Sequence, residues 1–126
     1  MKNIEDIADI KLFVDEFYSK VRQDLLLGPV FSAVITNDWQ PHLDKMYAFW
    51  NTVLFGVSGY KGNPFSKHAP LQIEQDHFDR WLALFAETIN AHFEGEVAED
   101  VQKRAALMAG MFLSKLRYTD PNKIIF

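Results

Sequence analysis

The chain has 126 residues, with Lys+Arg 13 against Asp+Glu 17, a net charge of −4 and no cysteine. That length fits one domain of ordinary size, with enough chain to bury a core without staples. The acidic balance and the lack of any basic run argue against a nucleic-acid partner, which needs clustered positive charge. The lack of cysteine excludes a disulfide framework, a thiolate metal site and a cysteine nucleophile. Glu5, Asp6 and Asp9 interrupt the N-terminal stretch where a signal peptide needs an apolar run. No apolar stretch approaches a membrane span, so a soluble, cytoplasmic protein with no membrane partner is expected. The aromatic count is high, with Phe 11, Trp 3 and Tyr 4, more rings than a small helical core requires. It hints at a wide, flat pocket.

In chain order, the first predicted element is a helix. Asn3 is its expected N-cap, and Ile4, Ile7, Ile10, Phe13, Val14, Phe17 and Val21 keep helical spacing. The stretch "LLLGPVF" breaks that pattern at Gly28-Pro29. A second helix follows, with Asp38 as cap and Pro41 tolerated in the first turn. Its apolar stripe is Leu43, Met46, Phe49, Trp50, Val53 and Leu54. "GVSGYKGNPF" then reads as a loop, and "PFSKHAPLQI" as a short constrained segment framed by Pro64 and Pro70. A third helix runs from about Glu74 to Phe93, with Phe78, Trp81, Leu82, Phe85 and Ile89 on its buried face. Gly95 separates it from a fourth, Val97 to Leu116, carrying Val101, Ala105, Met108, Phe112 and Leu116. No region alternates as a half-buried strand does. The expected class is all-α, a single domain over residues 1–126, too irregular for an up-down bundle.

Four histidines could carry chemistry: His42, His68, His77 and His92. No HxxxH or HExxH pair is present. His77 and His92 lie about four turns apart on one helix, too far to share an ion, and read as partly exposed helix residues. His42 opens the apolar stripe of the second helix, where a histidine is ordinarily a satisfied structural residue. His68 sits in the proline-framed segment. As a pair, His42 and His68 could stand on opposite faces of a flat cofactor, one as axial ligand and one guarding the open face. Haem iron accepts such a neutral histidine nitrogen, and a rigid backbone around the ligand would fix its orientation. Tyr18 and Trp81 each put a hydrogen-bond donor on an apolar body. The bland reading of Tyr18 is a surface tyrosine, and of Trp81 a core residue. The carboxylates of "EDIAD", "DE" and "EVAED" read as solvated helix faces. GxGxxG, Walker and GxSxG motifs are missing.

Four stretches, in order, carry a resemblance: "FYSKVRQDLLLGPVF", "DWQPHLDKMYAFWNTVLFG", "YKGNPFSKHAPLQI" and "FDRWLALFAETI". Together they resemble the truncated haemoglobins, most of all the third group, over roughly Ile10 to Leu116. Single glycines at Gly28, Gly56, Gly59 and Gly62 stand where many of the wider family have Gly-Gly pairs, and the third group lacks those pairs. The resemblance implies a shortened globin, two helix pairs packed across each other around haem b. It implies that His68 is the proximal iron ligand. Tyr18, Trp81 and His42 then line the distal side, and Phe31 packs on the haem edge. Lys45 and Lys67 match positions that meet the propionates, and Trp50 and Tyr60 help wall the pocket.

The function so implied is binding of oxygen and related diatomics, carbon monoxide and nitric oxide among them; the modest hydrophobicity of the chain suggests a monomer. Two charge-assisted donors on a bound diatomic would slow its release, each by ~1.5–3 kcal/mol. That disfavours transport and favours scavenging, sensing or chemistry on the ligand. A second reading is a haem enzyme that detoxifies nitric oxide or peroxide and needs a separate reductase. A third is a haem-free helical interaction module. No catalytic residue is assigned.

Overall fold

The computed structural model describes residues 1–33, 35, 38–59 and 74–118, with side chains as far as Met111. Five helices account for most of them: α1 (Ile7–Gln23), α2 (Leu27–Ser32), α3 (Gln40–Phe55), α4 (Gln75–His92) and α5 (Glu96–Tyr118). Among the described residues the only strand-like feature is an isolated parallel bridge between Lys2 and Phe93.

Helix α1 is the hub. It packs against α2, α3 and α4, while α4 packs against α5. Ile10, Phe13, Val14, Phe17 and Val21 recur at three- and four-residue intervals and are all buried, so one stripe faces the core. Ile7 falls outside that stripe and is 42% exposed, unlike its expected place in the apolar series. The N-cap is also not Asn3. The Asp6 side chain accepts from Asp9 N at 3.2 Å and starts α1. Asn3 caps a different helix: its Oδ1 accepts from Val97 N and Ala98 N of α5, both at 3.1 Å. The residue type was right for a cap, but the helix it serves lies across the fold.

The break at Gly28-Pro29 is a sharp turn into α2. Asp24 leaves the helix in an extended conformation. Its carboxylate then accepts from Leu26 N and Leu27 N at 3.1 and 3.0 Å. Pro29 sits in the first turn of α2, where a missing N–H leaves nothing unpaired. Gly28 is required by proximity, because a Cβ there would lie 2.8 Å from the Arg22 carbonyl oxygen.

Asp38 supports the start of α3, its Oδ1 accepting from Gln40 N at 3.0 Å, with Pro41 in the first turn. Met46, Tyr47, Phe49 and Trp50 are buried there, while Leu43, Val53 and Leu54 are half-buried against the core. In α4 the buried face is Phe78, Leu84, Phe85, Thr88 and Ile89. Trp81 and Leu82 are half-buried rather than fully inside. Val101 and Ala105 of α5 are buried; the side chains of Phe112 and Leu116 lie outside the described residues.

Three expected surface carboxylates have structural work instead. Asp9 is 7% exposed and accepts from Lys2 Nζ at 2.7 Å and Glu5 N at 2.9 Å. Asp15 accepts from the Tyr47 hydroxyl. Glu16 pairs with His92 and ties α1 to α4. His77 is also structural, its Nδ1 accepting from Glu74 N at 3.0 Å where α4 begins.

Candidate functional site

The C-terminal half of α1, the start of α3 and the first half of α4 converge on one aromatic wall. Phe17 is its pivot. Successive α1 residues point about 100° apart, so Phe17 and Tyr18 address different neighbours while still touching each other, with ring centroids 4.9 Å apart. Phe17 meets Trp81 of α4 edge-on at 5.2 Å. Tyr18 meets His42 of α3 edge-on at 4.9 Å. Phe17 therefore touches both Tyr18 and Trp81, and His42 joins the wall through Tyr18.

Tyr18 is 3% exposed. Burial pushes its hydroxyl well above the ordinary phenol value, so at neutral pH it stays protonated and can donate. The His42 Nε2 and Trp81 Nε1 atoms are buried as well. The Trp81 N–H has no acceptor among the described residues. A buried donor left in that state costs about 1–3 kcal/mol, which makes it a position where a ligand that accepts a hydrogen bond gains most.

Phe31 of α2 is buried 6.3 Å from the Tyr18 ring. Trp50 lies on the same wall, 5.6 Å from Phe85, which in turn stacks on Trp81 at 5.5 Å. Trp50, Trp81, Tyr18 and Phe17 line a cleft of about 370 Å3 to its open mouth. The space free for the centre of a water-sized molecule is about 10 Å3, room for one. Lys45 is exposed on α3, one turn beyond His42. His68, Lys67 and Tyr60 lie outside the described residues, as does the Pro64–Pro70 frame.

One residue of this wall had no role assigned from sequence. Trp39 is 8% exposed and packs on His42 at 5.8 Å, Tyr18 at 6.1 Å and Phe31 at 6.3 Å. The Arg22 guanidinium covers its outer face at 4.8 Å. Trp39 precedes α3, so helical periodicity carries no signal for it. Its place beside Asp38, the start signal of that helix, was the one available cue.

The lining of this cleft, aromatic and largely apolar with buried N–H and O–H donors, has the chemistry to flank a flat hydrophobic cofactor and hold a small polar ligand. The comparisons with known proteins agree. The family model described as bacterial-like globin matches residues 3–113. The group 3 truncated hemoglobin ctb of Campylobacter jejuni is 37% identical over 118 residues, 90% of this chain and 91% of that protein. A group 1 truncated hemoglobin, GlbN of a Nostoc species, is 31% identical over 90% of this chain and 95% of its own. The crystal structure of the group III truncated hemoglobin from Campylobacter jejuni superposes with a TM-score of 0.83 at 35% identity, covering 95% of this chain and 99% of that one. The group II protein from Bacillus anthracis gives a TM-score of 0.74 at 27% identity, with 87% and 85% covered. The chain belongs to the bacterial-like globin family, and within it to the truncated haemoglobins of the third group. Its cofactor is haem b.

No helix among the described residues is long and apolar enough to cross a membrane.

Proposed function

We propose that the protein binds oxygen and related diatomics at a haem iron held by His68, with Tyr18, Trp81 and His42 on the ligand side. When bound, haem b would supply an iron able to bind a diatomic and draw negative charge onto it. The chain's own residues do the rest. Tyr18, kept protonated by burial, donates its O–H to the charged end of the ligand. Trp81 donates the N–H that has no acceptor among the described residues. His42, against the Tyr18 ring, closes the approach from solvent together with Trp39. Phe31 and Trp50 would exclude water from the cofactor's edge and face, Lys45 and Lys67 would meet its propionates, and Tyr60 would help wall the pocket. A soluble monomer in the cytoplasm, served by a separate reductase, fits the acidic, single-domain chain.

The buried Trp81 N–H is the observation that carries this reading. Each charge-assisted donor strengthens ligand retention by ~1.5–3 kcal/mol, so a two-donor pocket retains oxygen too long for transport. Retention of that kind suits scavenging, sensing or turnover of the ligand, nitric oxide and peroxide included.

Visible spectra of the protein as isolated, after reduction, and after adding carbon monoxide test the assignment. A haem band that shifts to a histidine-ligated carbonyl form is expected. His68→Ala is expected to leave haem weakly held or lost. A normal five-coordinate ferrous spectrum in that variant would overturn His68 as the iron ligand.

A further inference from the structure

Outside the ligand pocket, α1 and α3 carry a second buried phenol. Tyr47 is 8% exposed and its hydroxyl donates to the Asp15 carboxylate. The Lys11 ammonium sits over its ring, 5.6 Å from the centroid. Tyr47 is three residues before Trp50 on α3, and such residues are neighbours on one helix side. From Trp50 the aromatic contacts run inward. Phe85 lies 5.6 Å from it, and Trp81 stacks on Phe85 at 5.5 Å with their planes 16° apart. Trp81 and Trp50 both line the cleft. Two oxidisable indoles, Trp81 and Trp50, with the Phe85 ring packed between them, thus lead from the ligand pocket toward a phenol with a base on its hydroxyl.

We propose that Tyr47 and Asp15 form a proton-coupled exit for oxidising equivalents that hydrogen peroxide delivers to the pocket. The proposal rests on haem as the cofactor. Peroxide takes two electrons and two protons and leaves as two waters. One electron is supplied at the haem and the other by Tyr47, by way of Trp50, while solvent supplies the protons. At Tyr47 the O–H bond breaks, the electron moves inward and the proton goes to the Asp15 carboxylate. A neutral phenoxyl radical and a neutral carboxyl group remain. Two equivalents of a one-electron reductant in solution, such as ascorbate or a thiol, then return one electron to Tyr47 and one to the haem, and Asp15 returns the proton to Tyr47.

The two charged neighbours dictate that coupling. Removing an electron alone would place a positive ring beneath the Lys11 ammonium, which Coulomb repulsion opposes. Losing the proton first is also opposed, because burial, then the Asp15 carboxylate, pushes the phenol up to about 12. Only joint loss avoids both, and Asp15 is already hydrogen-bonded to the proton. A tie between α1 and α3 would need the hydrogen bond but not the oxidisable ring, and that difference is testable.

The experiment mixes ferric, haem-loaded protein with one equivalent of hydrogen peroxide, freezes it within seconds and records electron paramagnetic resonance spectra. Peptide mapping of the thawed sample locates oxidised or cross-linked tyrosine. The wild type is expected to give a tyrosyl radical and modification at Tyr47. Tyr47→Phe is expected to lose both. Asp15→Asn, which still accepts a hydrogen bond but is a poor base, is expected to lose most of the radical while keeping its haem. Equal radical signals in wild type and Tyr47→Phe, or modification confined to Tyr18, Tyr60 or Tyr118, would overturn the proposal. A chain that takes up no haem overturns the cofactor as well, and the missing Soret band tells that failure from the first.

Discussion

Two polar clusters flank the hydrophobic core of this molecule, one at its N-terminal edge and one in the aromatic wall, and they are handled in opposite ways. At the N-terminus, acceptors are answered several times over. Asn3 Oδ1 takes three backbone N–H groups, from Ile4, Val97 and Ala98. Asp9 takes Lys2 and Glu5 N, and the N-terminal ammonium meets Glu94. The cluster pins the first residues across the turn between α4 and α5. In the aromatic wall, by contrast, the Trp81 N–H is buried without an acceptor among the described residues. A protein that meets its polar needs closely in one place has left a donor open in another. The first cluster is what stability requires. The second costs stability and makes sense as a ligand site.

Substitutions in the two clusters therefore have opposite signatures. Asp9→Ala carries the largest expected effect on folding. It removes a charge-assisted contact and a backbone acceptor, and leaves Glu5 N unanswered, for a loss of ~2–3 kcal/mol. Lys2 is half-exposed and returns to water, which keeps the loss below that of a fully buried pair. Denaturant titration reads it, while the haem spectrum of the folded fraction stays unchanged. A spectral change on the order of that in a pocket variant would show that the clusters are coupled.

Trp81→Phe is the reverse case. The ring still stacks on Phe85, and the buried N–H is gone. Oxygen dissociation is expected to speed up ~10–100-fold, the equivalent of ~1.5–3 kcal/mol. The apoprotein is expected to lose less stability than with Asp9→Ala. Stopped-flow release of oxygen, set beside thermal melts of the apoprotein, compares the two. An unchanged release rate with a large loss of stability would make Trp81 a core residue only.

Gly28→Ala probes the frame that both clusters share. Its new methyl group would meet the Arg22 carbonyl oxygen at 2.8 Å, and backbone yields less readily than a side chain. A loss of ~1–3 kcal/mol is expected, spread over α1 and α2, with slightly faster ligand release as Tyr18 and Phe31 lose their fixed spacing. Wild-type stability in this variant would mean that α2 shifts freely.

Much of this was legible in the sequence because it is local. Helical periodicity names Ile10, Phe13, Val14, Phe17 and Val21, and a buried stripe follows directly. What sequence could not show is pairing across the fold. Asn3 and Asp6 both precede α1 and both are good caps, and nothing nearby says that Asn3 serves Val97 and Ala98, 94 and 95 residues on. Asp9 and Asp15 look like surface charges until Lys2 and Tyr47 are placed beside them. Residues of the aromatic wall were singled out in a different way, through the order of four motifs. That order named Tyr18, His42 and Trp81 but passed over Trp39, which lies between two elements and belongs to neither period.

Acid titration sharpens the comparison at its smallest scale. Burial works to raise the Asp9 carboxyl, but the hydrogen bonds from Lys2 and the backbone outweigh it and hold it below the usual carboxylate value. Asp24 is held low against the same burial by Leu27 N, Arg80 and Leu26 N. A depressed folded value means that the unfolded chain takes up the proton first. The stability from these two groups is therefore fully present above about pH 4, the unfolded carboxylate range. It is lost as pH falls further, through the folded values. Tyr18 contributes at the other end: burial raises its hydroxyl, so the unfolded chain ionises first and stability falls as pH rises past about 10. Between those limits neither cluster changes protonation at these groups. Asp9→Asn is expected to flatten the acid limb of a stability-against-pH curve and leave the alkaline limb intact, and Tyr18→Phe to do the opposite. If Asp9→Asn leaves the acid limb as steep as in the wild type, the Lys2–Asp9 contact contributes nothing measurable, and the contrast between the two clusters would rest on Asn3 alone.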